Sequence, residues 1–150
     1  MSVLLSLGHG YSARALARQL IAEGWRVIGT TRSAAKAKAF RAEGVEPLLW
    51  PGDIAPALAE ATHILASAAP DGLGDPFLRS TAEIARSKAS WVGYLSTTGV
   101  YGDLSGGWAF EETPVNPQSP EATNRARAEE QWLSAGAHVF RLPGIYGPGR

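Results

Sequence analysis

The chain has 150 residues, enough for one domain, and its 14 Lys and Arg balance 14 Asp and Glu to a formal net charge of zero. An apolar share of 45% with 19% charged residues is that of a globular protein, and the scattered cations exclude nucleic acid and membrane surfaces as partners attracted by bulk charge. There is no cysteine, so disulfide and thiol chemistry are excluded.

Val3-Leu4-Leu5-Ser6-Leu7 is an apolar run of strand length that enters a glycine turn, Gly8-His9-Gly10-Tyr11-Ser12-Ala13. A helix follows from Ser12 to Ala22, with Ala13, Leu16, Ala17, Leu20 and Ile21 at helical spacing, and Arg26 to Thr30 reads as a second strand. Strand, G-x-G-x-x-A, helix and strand within about 30 residues is the context that a dinucleotide-binding fingerprint requires. Gly8 would allow the sharp turn, Gly10 would admit a pyrophosphate to the backbone, and small Ala13 would let the helix pack on the sheet. Tyr11 and Ser12 open that helix, whose free N–H groups and partial positive charge would face the phosphates. His9 is expected to point to solvent. The opening residues carry no basic n-region, and their apolar run is too short for a signal or membrane helix, so a cytoplasmic location is the default expectation.

Strand and helix patterns then alternate, which predicts an α/β fold: a Rossmann-type, doubly wound parallel sheet with helices on both faces. Ser33 is placed to cap a helix from Ala34 to Glu43, ended by Gly44. Val45 to Trp50 predicts a third strand, and Pro56 suits the first turn of a short helix. Thr62 to Ser67 predicts a fourth strand. Asp75-Pro76 opens a helix to about Lys88 with Phe77, Leu78, Thr81, Ile84 and Ala85 inward. Trp91 to Ser96 predicts a fifth strand, followed by a long loop from Thr97 to Pro117. Ser119-Pro120 opens a helix to about Ala135, closed by Gly136, and His138 to Leu142 predicts a sixth strand before a final loop. The crevice beyond the carboxyl ends of the strands is the expected ligand site.

The loop after the second strand discriminates NAD from NADP, by an acid on the ribose 2′-OH or an arginine for a 2′-phosphate. Thr31 and Arg32 stand there with no acid, which predicts NADP, with NAD as the weaker ligand. Asp53 could accept from an adenine amino group or simply start the short helix. Ser67 and Ala68, small residues, would lie under the cofactor's middle.

Tyr94-Leu95-Ser96-Thr97-Thr98-Gly99-Val100-Tyr101-Gly102-Asp103, with the later run from Arg141 to Gly149, resembles the extended short-chain dehydrogenase/reductase superfamily, in its NAD-dependent epimerase/dehydratase group. The resemblance covers the whole chain. It implies NAD(P) and chemistry on sugar nucleotides or other hydroxy or carbonyl compounds. It also implies that Thr97 hydrogen-bonds the reacting oxygen, that Asp53 and Ile54 contact adenine, and that Pro143 and Gly144 lie beside the nicotinamide. Residues 1–150 then form one NAD(P)-binding domain, without the C-terminal substrate lobe of the family.

The chain departs from the family in two places. Its glycine pattern is G-x-G-x-x-A where extended members carry G-x-x-G-x-x-G. The catalytic Tyr-x-x-x-Lys is replaced by Ala122 and Ala126. In the family that tyrosine is the general acid/base and the lysine lowers its pKa and holds the ribose. Arg125 and Arg127 flank the lost lysine and could supply charge but exchange no proton at neutral pH. Tyr101, near Thr97, is the best substitute phenol, against a plain packing role. The leading expectation is therefore an NADP-dependent oxidoreductase or isomerase acting on a small-molecule substrate. The alternative is a non-catalytic NAD(P)-binding redox sensor or regulatory protein. The glycine turn alone reads only phosphate, so a flavin or a nucleoside phosphate stays open, as does a homodimer.

Among the remaining residues, His63 and His138 fall at strand starts, away from the expected site. No His, Asp and Glu cluster has metal-ligand spacing, so no metal is expected. Glu111 and Glu112 read as a solvated turn, and Trp108 and Phe110 as lid residues or as aromatics buried on the domain. No G-x-S-x-G elbow supports a hydrolase.

Overall fold

The structure is a computed structural model that describes residues 1–80, 83–84 and 87–150. Six strands form one sheet: β1 (Val3–Leu7), β2 (Arg26–Thr31), β3 (Glu46–Leu49), β4 (His63–Ala66), β5 (Trp91–Thr97) and β6 (His138–Leu142). Their order is β3-β2-β1-β4-β5-β6, and every pairing is parallel. This is the doubly wound α/β arrangement expected, with the order reversing between β1 and β4.

The helices are α1 (Tyr11–Ala22), α2 (Ala34–Ala42), α3 (Ala55–Glu60), α4 (Pro76–Ser80) and α5 (Pro120–Ser134). β1 is buried along its whole length, as a central parallel strand covered on both faces must be. Leu4 faces Ala13, Ala17, Phe40 and Val45 under α1 and α2. Leu5 and Leu7 face the opposite core, built with Ile54, Ile64, Phe77, Tyr94 and Trp132. Ser33 caps α2 by accepting from the Lys36 N–H at 3.3 Å, and Gly44 takes φ +80° just past its end. Asp75 is fully buried; its Oδ1 accepts from the N–H of Phe77 at 2.9 Å, and its Oδ2 from the Trp132 indole at 3.0 Å. Thr81 and Ala85, expected inward on the helix after Asp75, lie outside the described residues; Ile84 is buried.

Four readings need correction. The helix expected to run to about Lys88 does not reach it: α4 is described to Ser80, and Ser87 and Lys88 are not helical. β3 and β4 are each shorter than expected, because Val45 and Thr62 serve as connections before the ladders begin. The expected loop from Thr97 contains a 3-10 turn, Thr98–Tyr101, which Thr97 Oγ1 starts by accepting from the Gly99 N–H at 3.1 Å. His9 does not point to solvent. It is 6% exposed, and its ring meets Phe40 edge-on at 4.7 Å between centroids. Gly29 makes the room: a Cβ there would lie 2.8 Å from His9 Cγ. His63 and His138 do begin β4 and β6, at the end of the sheet opposite the crevice. No helix among the described residues is long and apolar enough to cross a membrane.

Candidate active site

The glycine turn sits at the centre of the sheet and is held by its neighbours. Thr30 Oγ1 accepts from the Gly8 N–H at 2.7 Å, Ser67 Oγ donates to the Gly8 carbonyl at 2.6 Å, and the His9 N–H donates to the Thr30 carbonyl at 3.2 Å. Gly8 has φ +80°, and a Cβ on it would lie 2.6 Å from the Ala68 nitrogen. A glycine is therefore required by both backbone conformation and space. Gly10, by contrast, meets nothing closer than the Gly8 carbonyl at 3.7 Å. It opens onto a cleft.

The cleft has a volume of about 230 Å³ and lies over the ends of β1, β4, β5 and β6. Gly10 to Ala13, Ser67, Ser96, Arg125 and Arg150 line it with Leu95, Leu142 and Ile145. Whole ligand pockets span roughly 300–1,000 Å³, so this half-open cleft would hold only a part of a nucleotide-sized ligand. α1 begins at Tyr11 with no side chain capping it, whereas Ser33 and Ser119 cap α2 and α5. Its first N–H groups and the positive end of its dipole face the cleft, as an anion site needs. Tyr11 donates from its phenol to the Pro148 carbonyl at 3.1 Å and lies beneath the Arg150 guanidinium, so the last loop closes one side.

Of the other residues expected to bind the cofactor, Thr31 ends β2, and its hydroxyl accepts from the Ser33 N–H at 3.1 Å; Arg32 beside it is exposed. Asp53 Oδ1 accepts from the Ala55 N–H at 2.9 Å and so starts α3, while Ile54 is buried in the core. Pro143 and Gly144 follow β6 beside the cleft residues Leu142 and Ile145. The two expected catalytic residues do not line the cleft. The Thr97 hydroxyl caps its own turn. Tyr101 is buried, and its oxygen accepts from Arg141 Nη1 at 3.0 Å. Arg141 also grips buried Glu129 through Nε and Nη2, at 3.1 and 2.8 Å, and that carboxylate holds its guanidinium more strongly protonated than usual. Trp108 and Phe110 are exposed and border neither the cleft nor the core. Glu111 and Glu112 are exposed.

Two functional contributions were not singled out from sequence. Thr30 pins the glycine turn. Ser96 lies on the cleft floor. Of the two arginines flanking Ala126, Arg125 enters the cleft and Arg127 turns outward to the Gly72 carbonyl at 2.8 Å. Helical phase separates them: Arg125 shares a face with Ala122, Ala128 and Trp132, all buried against the sheet. Tyr94, fully buried beneath Arg125, has its phenol pushed up to about 12 by desolvation. His9 Nδ1 lies 2.9 Å from Ser6 Oγ, and burial lowers its pKa to about 4, so the ring is neutral near pH 7. Among the described residues no group of His, Asp and Glu could hold a metal ion.

No protein-family model matches the chain. Protein YeeZ of Escherichia coli K12 is 33% identical over an alignment of 172 positions that takes in all of this chain, which spans 61% of that relative's length. A functionally unknown conserved protein from Silicibacter pomeroyi has a solved structure with a TM-score of 0.94 and 51% identity, covering all of this chain and 56% of its own. A Methylobacillus flagellatus protein classed with the NAD-dependent epimerases/dehydratases superposes with a TM-score of 0.75 at 28% identity, over 99% of this chain and 56% of its own. UDP-glucuronic acid 4-epimerase from Bacillus cereus, in complex with NAD, superposes with a TM-score of 0.80 at 17% identity, over 99% of this chain and 57% of its own, a likeness of fold.

Proposed function

We propose that this chain binds a nicotinamide dinucleotide, NADP by preference, and serves an oxidoreductase or isomerase of the epimerase/dehydratase type. Its substrate is then a small molecule with a hydroxyl or carbonyl group, sugar nucleotides among them. The observation that carries the reading is the Gly8–Ala13 turn, open at Gly10 and facing an uncapped helix start across the switch in strand order. The solved neighbours classed as NAD-dependent epimerases/dehydratases, or holding NAD, support it. The cofactor would supply hydride chemistry. Gly8, Thr30 and Ser67 shape its phosphate seat, and exposed Arg32 offers its fork to a 2′-phosphate. Thr97 and Tyr101 remain the residues proposed for the reacting oxygen and the proton. Neither lines the cleft, so each would have to turn toward it to act, Tyr101 out of its buried position.

That cost, together with Ala122 and Ala126 on α5, favours a second reading in which the chain binds NAD(P) as a sensor or regulatory partner and transfers no hydride. Thermal denaturation tests the binding common to both. NADPH at 100 times its Kd adds about 2.7 kcal/mol, which raises the melting temperature by roughly 5–10 °C in a chain of this size. Neither FMN nor NADH at the same concentration should match it. A flat response to NADPH overturns the reading. Hydride transfer from NADPH to a carbonyl substrate excludes the sensor. Turnover that persists in the Thr97→Ala, Tyr101→Phe double variant refutes the two catalytic assignments.

A further inference from the structure

Two polar groups on the cleft floor lack partners for what they can donate. Ser96 is 6% exposed, and its Oγ, shut off from solvent, makes no hydrogen bond. Arg125 is half-buried and makes all its hydrogen bonds through Nη1: to the Leu95 carbonyl at 2.9 Å, the Tyr94 oxygen at 3.1 Å and, at the limit of reach, the Ala68 carbonyl at 3.5 Å. Among the described residues, Nε and Nη2 find no protein acceptor, and no carboxylate pairs with the guanidinium. A half-buried cation with no counter-charge, beside an orphaned buried hydroxyl, is costly for a protein that does nothing with them. No residue lining the cleft is acidic.

We infer that Ser96 and Arg125 form a second anion subsite, across the cleft from the glycine turn, that seats a carboxylate of the substrate. The free edge of the guanidinium presents Nε and Nη2 as a planar fork that matches two carboxylate oxygens, and Ser96, on turning its buried hydroxyl toward the cleft, would add a third donor. The inference rests on the dinucleotide reading in one respect: with the cofactor's pyrophosphate on α1, the fork is left for an anion of the substrate. The alternative source of anionic oxygen is the pyrophosphate itself. Arg125 exchanges no proton at neutral pH, so the subsite binds and orients, and acid/base chemistry falls to other groups.

Calorimetric titration with malonate and inorganic phosphate tests the subsite, on the chain alone and on the chain saturated with NADPH. Malonate should bind the loaded chain. Arg125→Ala should weaken it by about tenfold or more, Ser96→Ala by a few-fold, and Arg125→Lys by an intermediate factor, since it keeps the charge but loses the fork. NADPH affinity should stay close to wild type in each variant; Ser96→Ala should melt as the wild type does, and Arg125→Ala a few degrees lower, because the Leu95 carbonyl and the buried Tyr94 phenol lose their donor. If Arg125→Ala weakens NADPH itself by about tenfold and malonate does not bind the loaded chain, the anion is the cofactor's pyrophosphate and the substrate carboxylate is refuted. If the wild type ignores NADPH but binds malonate through Arg125, the dinucleotide reading fails and the subsite stands. If neither anion binds and Arg125→Ala takes up NADPH as the wild type does, the subsite is overturned.

Discussion

Gly8 and Gly10 lie two residues apart in one turn, yet the structure assigns them opposite kinds of necessity. Gly10 has φ −99° and ψ −160°, extended backbone open to any residue, and an added Cβ meets only the Gly8 carbonyl at 3.7 Å. Gly10→Ala therefore costs the fold little beyond a poorer N-cap, about 0.5 kcal/mol, or 1–2 °C in melting temperature. Its methyl enters the cleft where the backbone must touch phosphate. Losing charge-assisted hydrogen bonds there costs about 1.5–3 kcal/mol, a weakening of NADPH binding by roughly 10- to 150-fold. Gly8→Ala fails differently. A φ of +80° costs alanine about 1–2 kcal/mol, and a Cβ 2.6 Å from the Ala68 nitrogen adds about 1–3 through backbone displacement. The melting temperature should fall by roughly 4–20 °C before any ligand is added. Melting curves and nicotinamide fluorescence titrations on the two variants read both effects. A Gly10→Ala chain that binds NADPH as tightly as the wild type refutes the placement of the phosphate at this turn.

The cofactor preference rests on Arg32: Arg32→Ala should weaken NADPH by about tenfold or more and leave NADH within about twofold, whereas equal losses for both would contradict the 2′-phosphate role. His9 predicts a pH dependence of stability. Its folded pKa of about 4 lies below the ordinary histidine value of about 6.5, so the unfolded chain takes the proton first. The contribution of the neutral ring is complete above about pH 6.5 and is lost as the pH falls toward 4, a change of about 2–3 kcal/mol in urea denaturation. His9→Gln should flatten that part of the slope. Arg141→Ala strands the buried Glu129 carboxylate and frees Tyr101, and should cost about 3–5 kcal/mol. The double change Arg141→Met, Glu129→Leu should recover most of it, and a single-variant loss below about 1 kcal/mol would mean that the pair is not a structural clamp.

The strands and helices of the sheet were legible because their causes are local: apolar runs of strand length, Ser33 and Ser119 as caps, and proline in the first turns of α3 and α5. The turn at Gly8 was legible for the same reason. His9 was not, because its inward pose depends on the absence of a side chain at Gly29, which only strand pairing brings beneath it. The 3-10 turn after β5 has no hydrophobic period to betray it and is held instead by a single hydroxyl, Thr97, and by the Asn116 N–H on the Val100 carbonyl at 2.9 Å. Tyr101 was weighed as a phenol near Thr97; that Arg141, 40 residues on, occupies its oxygen is a contact that no spacing reveals. Arg125 could have been told from Arg127 by the phase of α5 relative to Trp132.

The central claim is that a nicotinamide dinucleotide lies on the Gly8–Ala13 turn and runs across the cleft toward Ser96 and Arg125. The most direct test is amide chemical-shift mapping of the isotopically labelled chain, which at 15.8 kDa is well within range, titrated with NADPH. The account predicts saturable shifts at Gly8, Gly10, Tyr11, Ser12 and Ala13, at Ser67 and Ser96, and at Thr31 and Arg32, the last pair absent with NADH. Shifts confined to other surfaces, or none at millimolar NADPH, would contradict it.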